Sequence, residues 1–258
     1  MKKNIKSFLN RFGIDIKRIN PELRNKLSFD DIYKHKLKDN PIIIDVGANK
    51  GQSIKRFKKI FPNCAIHSFE PNYLEYKNIK EKFKLDKSIV INNFALGEKE
   101  ETKSFNITAK SGSSSFNKVN LNTKWLKKRA KQFDVLETEY TKSVVDVKVI
   151  TLDKYCVDQN ISHIDILKID TQGYEDKVLE GSQKILEKNI LSIVEMEIIL
   201  DNVYDKYLTF SDVEKYLLKN KFRLSGITTA NNNIFEGLVF FVDVMYFNTK
   251  IFNLNDVY

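Results

Sequence analysis

Apolar residues in this chain alternate between two arrangements, one compact and one spaced. Ile42-Ile43-Ile44-Asp45-Val46 is almost continuously apolar, as strands covered on both faces are. Directly after it, Ile54, Phe57, Ile60 and Phe61 recur at three- and four-residue spacing, which predicts a helix from about Gln52 to Phe61. Pro62-Asn63 ends it. The alternation repeats as a strand over Ala65–Phe69, a helix over Asn72–Phe83 and a strand over Ser88–Asn93. This is the rhythm of a parallel sheet covered by helices.

Between residues 97 and 145 the rhythm breaks. Ser104–Thr108 and Val144–Leu152 both read as strands, suited to pairing with each other. Between them lie the polar run Ser111-Gly112-Ser113-Ser114-Ser115 and a basic segment around Trp125. A long insertion between regular elements is usually functional or disordered, and this one is read as serving the substrate. The rhythm resumes with a strand over Ile164–Ile169, a helix over Glu175–Glu187 and a strand over Leu191–Glu197. A helix over Ser211–Asn220 follows, with Ser211 and Glu214 placed as a capping box. Strand Phe222–Ile227, a polar loop Thr228–Asn233 and strand Leu238–Tyr246 complete the pattern. With no helix between them, the last strand must run antiparallel to its neighbour. The expected organisation is a basic helical arm at 1–40, one α/β domain at 41–250 and a tail at 251–258.

Composition removes several classes. A chain of 258 residues with 42% apolar and 12% aromatic residues has enough of both to build a core, and is not disordered. The longest apolar run of the C-terminal half, Leu238–Val242, falls far short of the ~20 residues of a membrane span. Lys2, Lys3, Lys6 and Arg11 interrupt any secretory h-region. Cys64 and Cys156 have neither metal nor redox spacing and read as buried thiols in a reducing compartment, which makes the cytoplasm the expected location.

The charge of +9 is concentrated, with eleven Lys/Arg against five Asp/Glu before Pro41. There Ile5, Phe8, Leu9 and Phe12 form an apolar stripe among basic residues. Such a helix packs on its own domain or on a second copy of the chain as a homodimer; alternatively, residues 1–20 make a peripheral contact with an anionic membrane. Packing is the commoner use. The second basic cluster, Lys124, Lys127, Lys128, Arg129 and Lys131, reads as a solvated helix face ahead of a grip on an anionic substrate or nucleic acid.

The chemistry begins at Asp45-Val46-Gly47-Ala48-Asn49-Lys50-Gly51, a glycine loop that closes a strand and opens a helix. Glu70, nineteen residues past Gly51, ends the second strand, where an acid in doubly wound folds holds ribose hydroxyls. Together they point to an adenosine-containing cofactor. The loop lacks the G-x-G-x-x-G that admits a pyrophosphate, and no G-K-[ST] follows, which excludes a P-loop. Asp45 would repel a pyrophosphate but suits a ligand with a positive centre and an ammonium group. S-adenosyl-L-methionine carries both.

Asp45 to Gly51, Phe69-Glu70-Pro71, Asn93-Phe94-Ala95-Leu96-Gly97, Thr151-Leu152-Asp153 and Lys168-Ile169-Asp170-Thr171-Gln172-Gly173-Tyr174-Glu175 together resemble the FkbM family of methyltransferases over roughly residues 40–246. The resemblance implies a class I methyltransferase fold. That fold is Rossmann-like α/β, with a mostly parallel seven-stranded sheet, a terminal antiparallel strand and helices on both faces. It also implies transfer of a methyl group to a hydroxyl, often of a sugar, as in a surface polysaccharide or glycolipid. One departure is Gln172, where the family has a glutamate in D-[VI]-E-G. Asp45, Gly47, Asn49 and Gly51 are assigned to the amino-acid end of the cofactor, Glu70 to its ribose, and Asn93 and Ala95 to the border of its adenine. Asp170, where substrate and cofactor should meet, is the first candidate for general base, with Glu195 and Glu197 as the others. No metal is assigned, although three acids near a strand edge could hold one. The alternatives in other classes are a nucleic-acid methyltransferase, disfavoured because the Asn/Asp-Pro-Pro-Tyr/Phe motif is absent, and a cofactor-binding module without catalysis.

Deleting residues 1–20, which hold six Lys/Arg and one Asp, separates the two accounts of the arm. The expected outcome is a lower melting temperature and newly exposed apolar surface. An unchanged melting temperature, with loss of salt-sensitive binding to anionic vesicles, would assign the arm to a membrane surface instead.

Overall fold

The computed structural model describes residues 28–229 and 239–252; the basic segment at 1–20, most of the predicted 228–233 loop and the tail from 253 lie outside the described residues. The chain divides into two units, 1–36 and 37–258. In the first, helix α1 (Phe29–Lys36) opens on a reciprocal cap, in which Asp31 N donates to Ser28 Oγ and Ser28 N donates to Asp31 Oδ2, both at 3.2 Å.

The second unit begins with β1 (Ile42–Val46), α2 (Gln52–Ile60), β2 (Ala65–Phe69), α3 (Tyr73–Lys82) and β3 (Ile89–Asn92), the predicted alternation. A short β4 (Ala95–Leu96) leads into the insertion, which folds as β5 (Glu101–Thr108), a 3-10 turn at Ser111–Ser113, α4 (Lys124–Gln132) and β6 (Thr141–Ile150). Then come α5 (Leu152–Asp158), β7 (Ile164–Ile169), α6 (Glu175–Glu180), α7 (Gln183–Glu187), β8 (Leu191–Ile199), α8 (Phe210–Leu217), β9 (Phe222–Thr229) and β10 (Phe241–Asn248).

Seven strands form one sheet in the order β3-β2-β1-β7-β8-β10-β9. The predicted antiparallel strand is β10, which sits inside the sheet and runs antiparallel to both β8 and β9. Strands β1 and β8 are buried along nearly their whole length, as a sheet covered on both faces requires. Their apolar residues, Ile44, Val46, Val194, Met196 and Ile198, join Phe69, Leu167 and Val244 in the main core. Each such side chain contributes about 1.5–3 kcal/mol relative to exposure. The predicted pairing inside the insertion also holds, with Ser104 opposite Asp146 and Asn106 opposite Val144 in a small second sheet, β4-β6-β5. Among the described residues no helix is long and apolar enough to cross a membrane.

Four local expectations need correction. Helix α5 lies where strand was read as far as Leu152, because Thr151 accepts a hydrogen bond from Lys154 N (3.1 Å) and starts a helix instead. The single helix expected over Glu175–Glu187 is two, α6 and α7. At the break, a Cβ on Gly181 would lie 1.9 Å from the carbonyl oxygen of Gly97, so the backbones meet there. The cap of α8 is Thr209 with Asp212, not Ser211 with Glu214, since Thr209 N donates to Asp212 Oδ2 at 2.9 Å. Strand β9 continues through Thr228 and Thr229, which were read as loop. Cys64 and Cys156 are buried and free, and burial pushes their thiols up to about 11 and about 12.

Candidate active site

The carboxyl ends of β1, β2 and β7 converge. After β1 the backbone turns through the left-handed region at Gly47 (φ 89°), Asn49 (φ 45°) and Gly51 (φ 75°). At Gly47 a Cβ would stand 2.0 Å from the carbonyl oxygen of Asp170, so conformation and space both demand glycine. Gly47 N and Ala48 N both donate to Phe69 O, at 3.0 and 3.1 Å, which ties the loop to β2. Glu70 completes the tie, its Oε2 accepting from Asn49 N (2.7 Å) and its Oε1 from Asn72 N (2.8 Å). Each oxygen keeps a lone pair. Burial pushes this carboxyl up to about 7, against the lowering effect of the two N–H groups.

Above these strand ends lies a cavity. Its polar floor includes Gly47, Asn49, Glu70 and Asp170; its apolar walls include Phe69, Ala95, Phe105 and Phe116. Phe105, Phe116 and the serine run belong to the insertion, and the sequence reading gave none of them a place in the site. The run is fastened down: Ser111 Oγ donates to Asn49 Oδ1 (3.1 Å), and Ser115 Oγ donates to the carbonyl of Gln172 (2.8 Å). Asn117 Nδ2 donates to the carbonyl of Gly173 (2.7 Å). The insertion therefore forms a wall of the cavity and bridges the two loops that floor it. Three assigned cofactor residues stand elsewhere, Asp45 buried beneath the glycine loop, Gly51 and Asn93. Gly51 is the turn before α2, where a Cβ would press on Phe83, and Asn93 donates to the carbonyls of Glu70 and Pro71 (3.0 and 3.2 Å), bracing that turn from outside the cavity.

Strand register collects charge on one face of the sheet. Ser68, Asp45, Lys168 and Glu195 are successive cross-strand neighbours, so their side chains share a face. Two residues along, Asp170 and Glu197 occupy the same face, with Asp243 opposite Glu197 on β10. Asp45 is fully buried beneath the loop and accepts from Ser68 Oγ (2.9 Å); burial pushes its carboxyl up while the Lys168 ammonium pulls it down. Burial works against the charge of Lys168 as well, yet Asp170, Asp45, Glu195 and Glu197 together hold its ammonium well above the ordinary range. Its Nζ lies 3.4 Å from Asp170 Oδ2. Glu195 is buried and ion-paired with Arg56 of α2 at 2.5 Å.

Gln172 spans the remaining gap. With φ at 58°, its side chain turns so that Nε2 donates both to Asp170 Oδ1 (3.0 Å) and to Glu197 Oε1 (2.7 Å). Its Oε1 accepts from the Tyr204 hydroxyl (3.1 Å). A glutamate here would replace the amide donor shared by Asp170 and Glu197 with a third acidic group. The departure from the family pattern therefore fits its surroundings. Glu175 shapes the same loop, accepting from Thr171 N (2.9 Å), Thr171 Oγ1 (3.0 Å) and Gly173 N (3.0 Å). Of the three candidate bases, only Asp170 lines the cavity; it also lines a second hollow on the α2 side of the glycine loop, beside Arg56 and Lys168. Among the described residues no group of three or more His, Cys, Asp or Glu side chains is placed to hold a metal ion.

Burial, then Asp170 and Asp243, push Glu197 up to about 8 from an ordinary 4.5. The folded chain thus keeps a proton that the unfolded chain releases, and stability should fall as pH rises from about 4.5 to 8. Glu70 and Glu175, both near 7, add to the same slope. Thermal melts from pH 5 to 8 should therefore decline in wild type. Glu197→Gln should flatten the decline by up to about 1.4 kcal/mol per pH unit, the worth of one proton. Gln172→Glu should steepen it.

The comparisons with known proteins accord with this geometry. The profile of the Methyltransferase FkbM domain matches residues 45–224, from the buried aspartate of β1 into β9. A curated relative, the 2-O-methyltransferase NoeI of Sinorhizobium fredii, is 21% identical over 151 residues, 58% of this chain. The match spans 61% of that relative's length. The crystal structure of an FkbM methyltransferase from Methylobacillus flagellatus aligns over 83% of this chain and 45% of its own, at 13% identity and a TM-score of 0.52, which is a likeness of fold. With its glycine loop, its β2 acid and its D-T-Q-G loop all at the carboxyl edge of a mostly parallel seven-stranded sheet, the chain belongs to the FkbM methyltransferase family.

Proposed function

We propose that this chain is an S-adenosyl-L-methionine-dependent O-methyltransferase whose acceptor is a sugar hydroxyl, in a surface polysaccharide or glycolipid. The observation that carries the reading is the position of Asp170 on the wall common to the cavity and the second hollow. Transfer to oxygen is supported by the 2-O-methyltransferase relative, and the sugar class by the resemblance of the motifs to the FkbM family.

The residues present fit the cofactor. Glu70 offers two acceptor lone pairs for a ribose diol, and Phe69, Ala95, Phe105 and Phe116 offer an apolar berth for a purine. Gly47 and Asn49 border the same floor and would hold the amino-acid end. When bound, the cofactor supplies a methyl carbon made electrophilic by a sulfonium.

The chain's own work is alignment and proton removal. An aliphatic hydroxyl is a weak nucleophile until a base takes its proton as the new bond forms. Asp170 is placed for this: Gln172 and Lys168 each engage one of its oxygens, fixing the carboxylate and leaving a lone pair on each oxygen for a proton. Glu195 is committed to Arg56, and Glu197 reaches Asp170 only through the Gln172 amide, so both position the site. The serine run and its aromatic neighbours keep bulk water from the floor.

Calorimetry should show S-adenosylhomocysteine binding to the wild type, with Glu70→Ala weakening it by roughly 1–3 kcal/mol, a charged hydrogen bond's worth. Transfer of labelled methyl into cell-envelope extracts should fall by about 10²–10⁴ in Asp170→Asn. The affinity of Asp170→Asn for S-adenosylhomocysteine should stay within about a factor of two. Retained turnover would pass the base to another group, and no binding by the wild type would remove the cofactor assignment.

A further inference from the structure

Two cations beside this site have unused hydrogen-bonding capacity. Lys110, where β5 leads into the serine run, is half-buried, and its ammonium makes no hydrogen bond or ion pair among the described residues. The charges acting on it are those of Arg129, Glu197 and Asp170. Arg129 stands on α4 with its guanidinium 5.8 Å from the Trp125 ring centroid. Its Nη1 donates to Gln132 (2.9 Å), and its Nε is buried with no partner among the described residues. The placement is built. Trp125 packs edge-on against Tyr140 at 5.8 Å, and the Tyr140 carbonyl accepts from Ala109 N at 2.8 Å, which brings α4 to the residue before Lys110.

A buried donor without a partner, such as Arg129 Nε, is costly unless an acceptor joins it. The other basic residues of α4 make the contrast, since Lys124, Lys127 and Lys131 are exposed and solvated. Ser111, next to Lys110, lines the cavity that Asp170 floors. Arg56 and Lys168, which line the hollow beside the Gly47–Asn49 loop, are engaged by Glu195 and Asp170, whereas the pair on the insertion has no carboxylate bonded to it among the described residues.

We propose that Lys110 and Arg129 bind an anionic group, a carboxylate or a phosphate, carried by the methyl acceptor itself. This rests on the methyltransferase reading above and narrows its substrate to an acidic sugar, such as a uronate or a sugar phosphate. A guanidinium and an ammonium suit either anion, the first through paired N–H donors and the second as a point charge.

The test is calorimetry on the full-length chain saturated with S-adenosylhomocysteine, using D-glucuronate, D-glucose 6-phosphate and neutral D-glucose as probes. At least one anionic probe should bind about tenfold or more tightly than glucose, the scale of a charge-assisted contact. Lys110→Gln and Arg129→Gln should each remove most of that advantage while leaving glucose unchanged. Lys127→Gln, on the exposed face of the same helix, should remove none. If Arg129→Gln fails to fold, Lys110→Gln decides alone. Anionic probes no tighter than glucose would overturn the proposal, as would an equal loss in Lys127→Gln, which would indicate only the general field of the protein. Weaker binding of S-adenosylhomocysteine itself by Lys110→Gln would reassign the pair to the cofactor's carboxylate. A wild type that fails to bind S-adenosylhomocysteine before any sugar is added would instead sink the underlying reading.

Discussion

Asp45, Asp170, Glu195, Glu197 and Asp243 share the carboxyl end of the sheet with two cations, Lys168 and Arg56, and the site depends on how that excess of acid is held. Parallel register dictates the crowding: residues opposite one another across β1, β7 and β8 point to the same face. Lys168 sits among the carboxylates, Arg56 neutralises Glu195, and the Gln172 amide separates Asp170 from Glu197 with a donor to each. Burial then keeps Glu197 protonated near neutrality, which reduces the repulsion further. The outcome is one fixed carboxylate, that of Asp170, facing the cavity.

The glycine loop is the second half of the same construction. Gly47 passes so close to the Asp170 carbonyl that β1 and β7 can meet at this edge only through a residue without a side chain. Glu70 turns its carboxylate back onto the loop, so this cavity-lining acid is also a structural clamp. A change at either residue would therefore act on loop geometry as well as on the ligand. The insertion closes the arrangement from above, its serines bonded to Asn49 and to the Gln172 backbone. Lifting the insertion off the floor would break those two part-buried hydrogen bonds, each worth about 1 kcal/mol net.

Much of this was legible in the sequence. The strand–helix alternation, the antiparallel final strand and the pairing of Ser104–Thr108 with a strand through Val144 follow from local periodicity and connection length; the structure has them, the last in the small second sheet, where the partner strand starts earlier, at Thr141. Glycines at 47 and 51 and the acid at 70 carry a meaning that chain neighbours alone establish, because left-handed turns and strand-end acids are local features. Local signals also misled. Thr209 with Asp212 and Ser211 with Glu214 satisfy the same capping pattern, and only the entry of the chain into α8 chooses between them.

Tertiary structure decided which charges meet. Arg56 and Glu195 are 139 residues apart in the chain and Gln172 and Glu197 are 25 apart, and no periodicity relates them. Asn93, beside the right strand, spends its amide on the Glu70–Pro71 turn, whereas Phe105, Phe116 and Ser111 arrive at the cavity from an insertion with no motif of its own. Sequence determines backbone geometry wherever neighbours along the chain set it. The partners of a buried charge are set by crossovers and register, and desolvation makes those partners decisive. The glycine loop and the strand-end acid Glu70 could thus be read from the chain alone, while only the fold sets Asp170, of the three carboxylates, on the cavity wall.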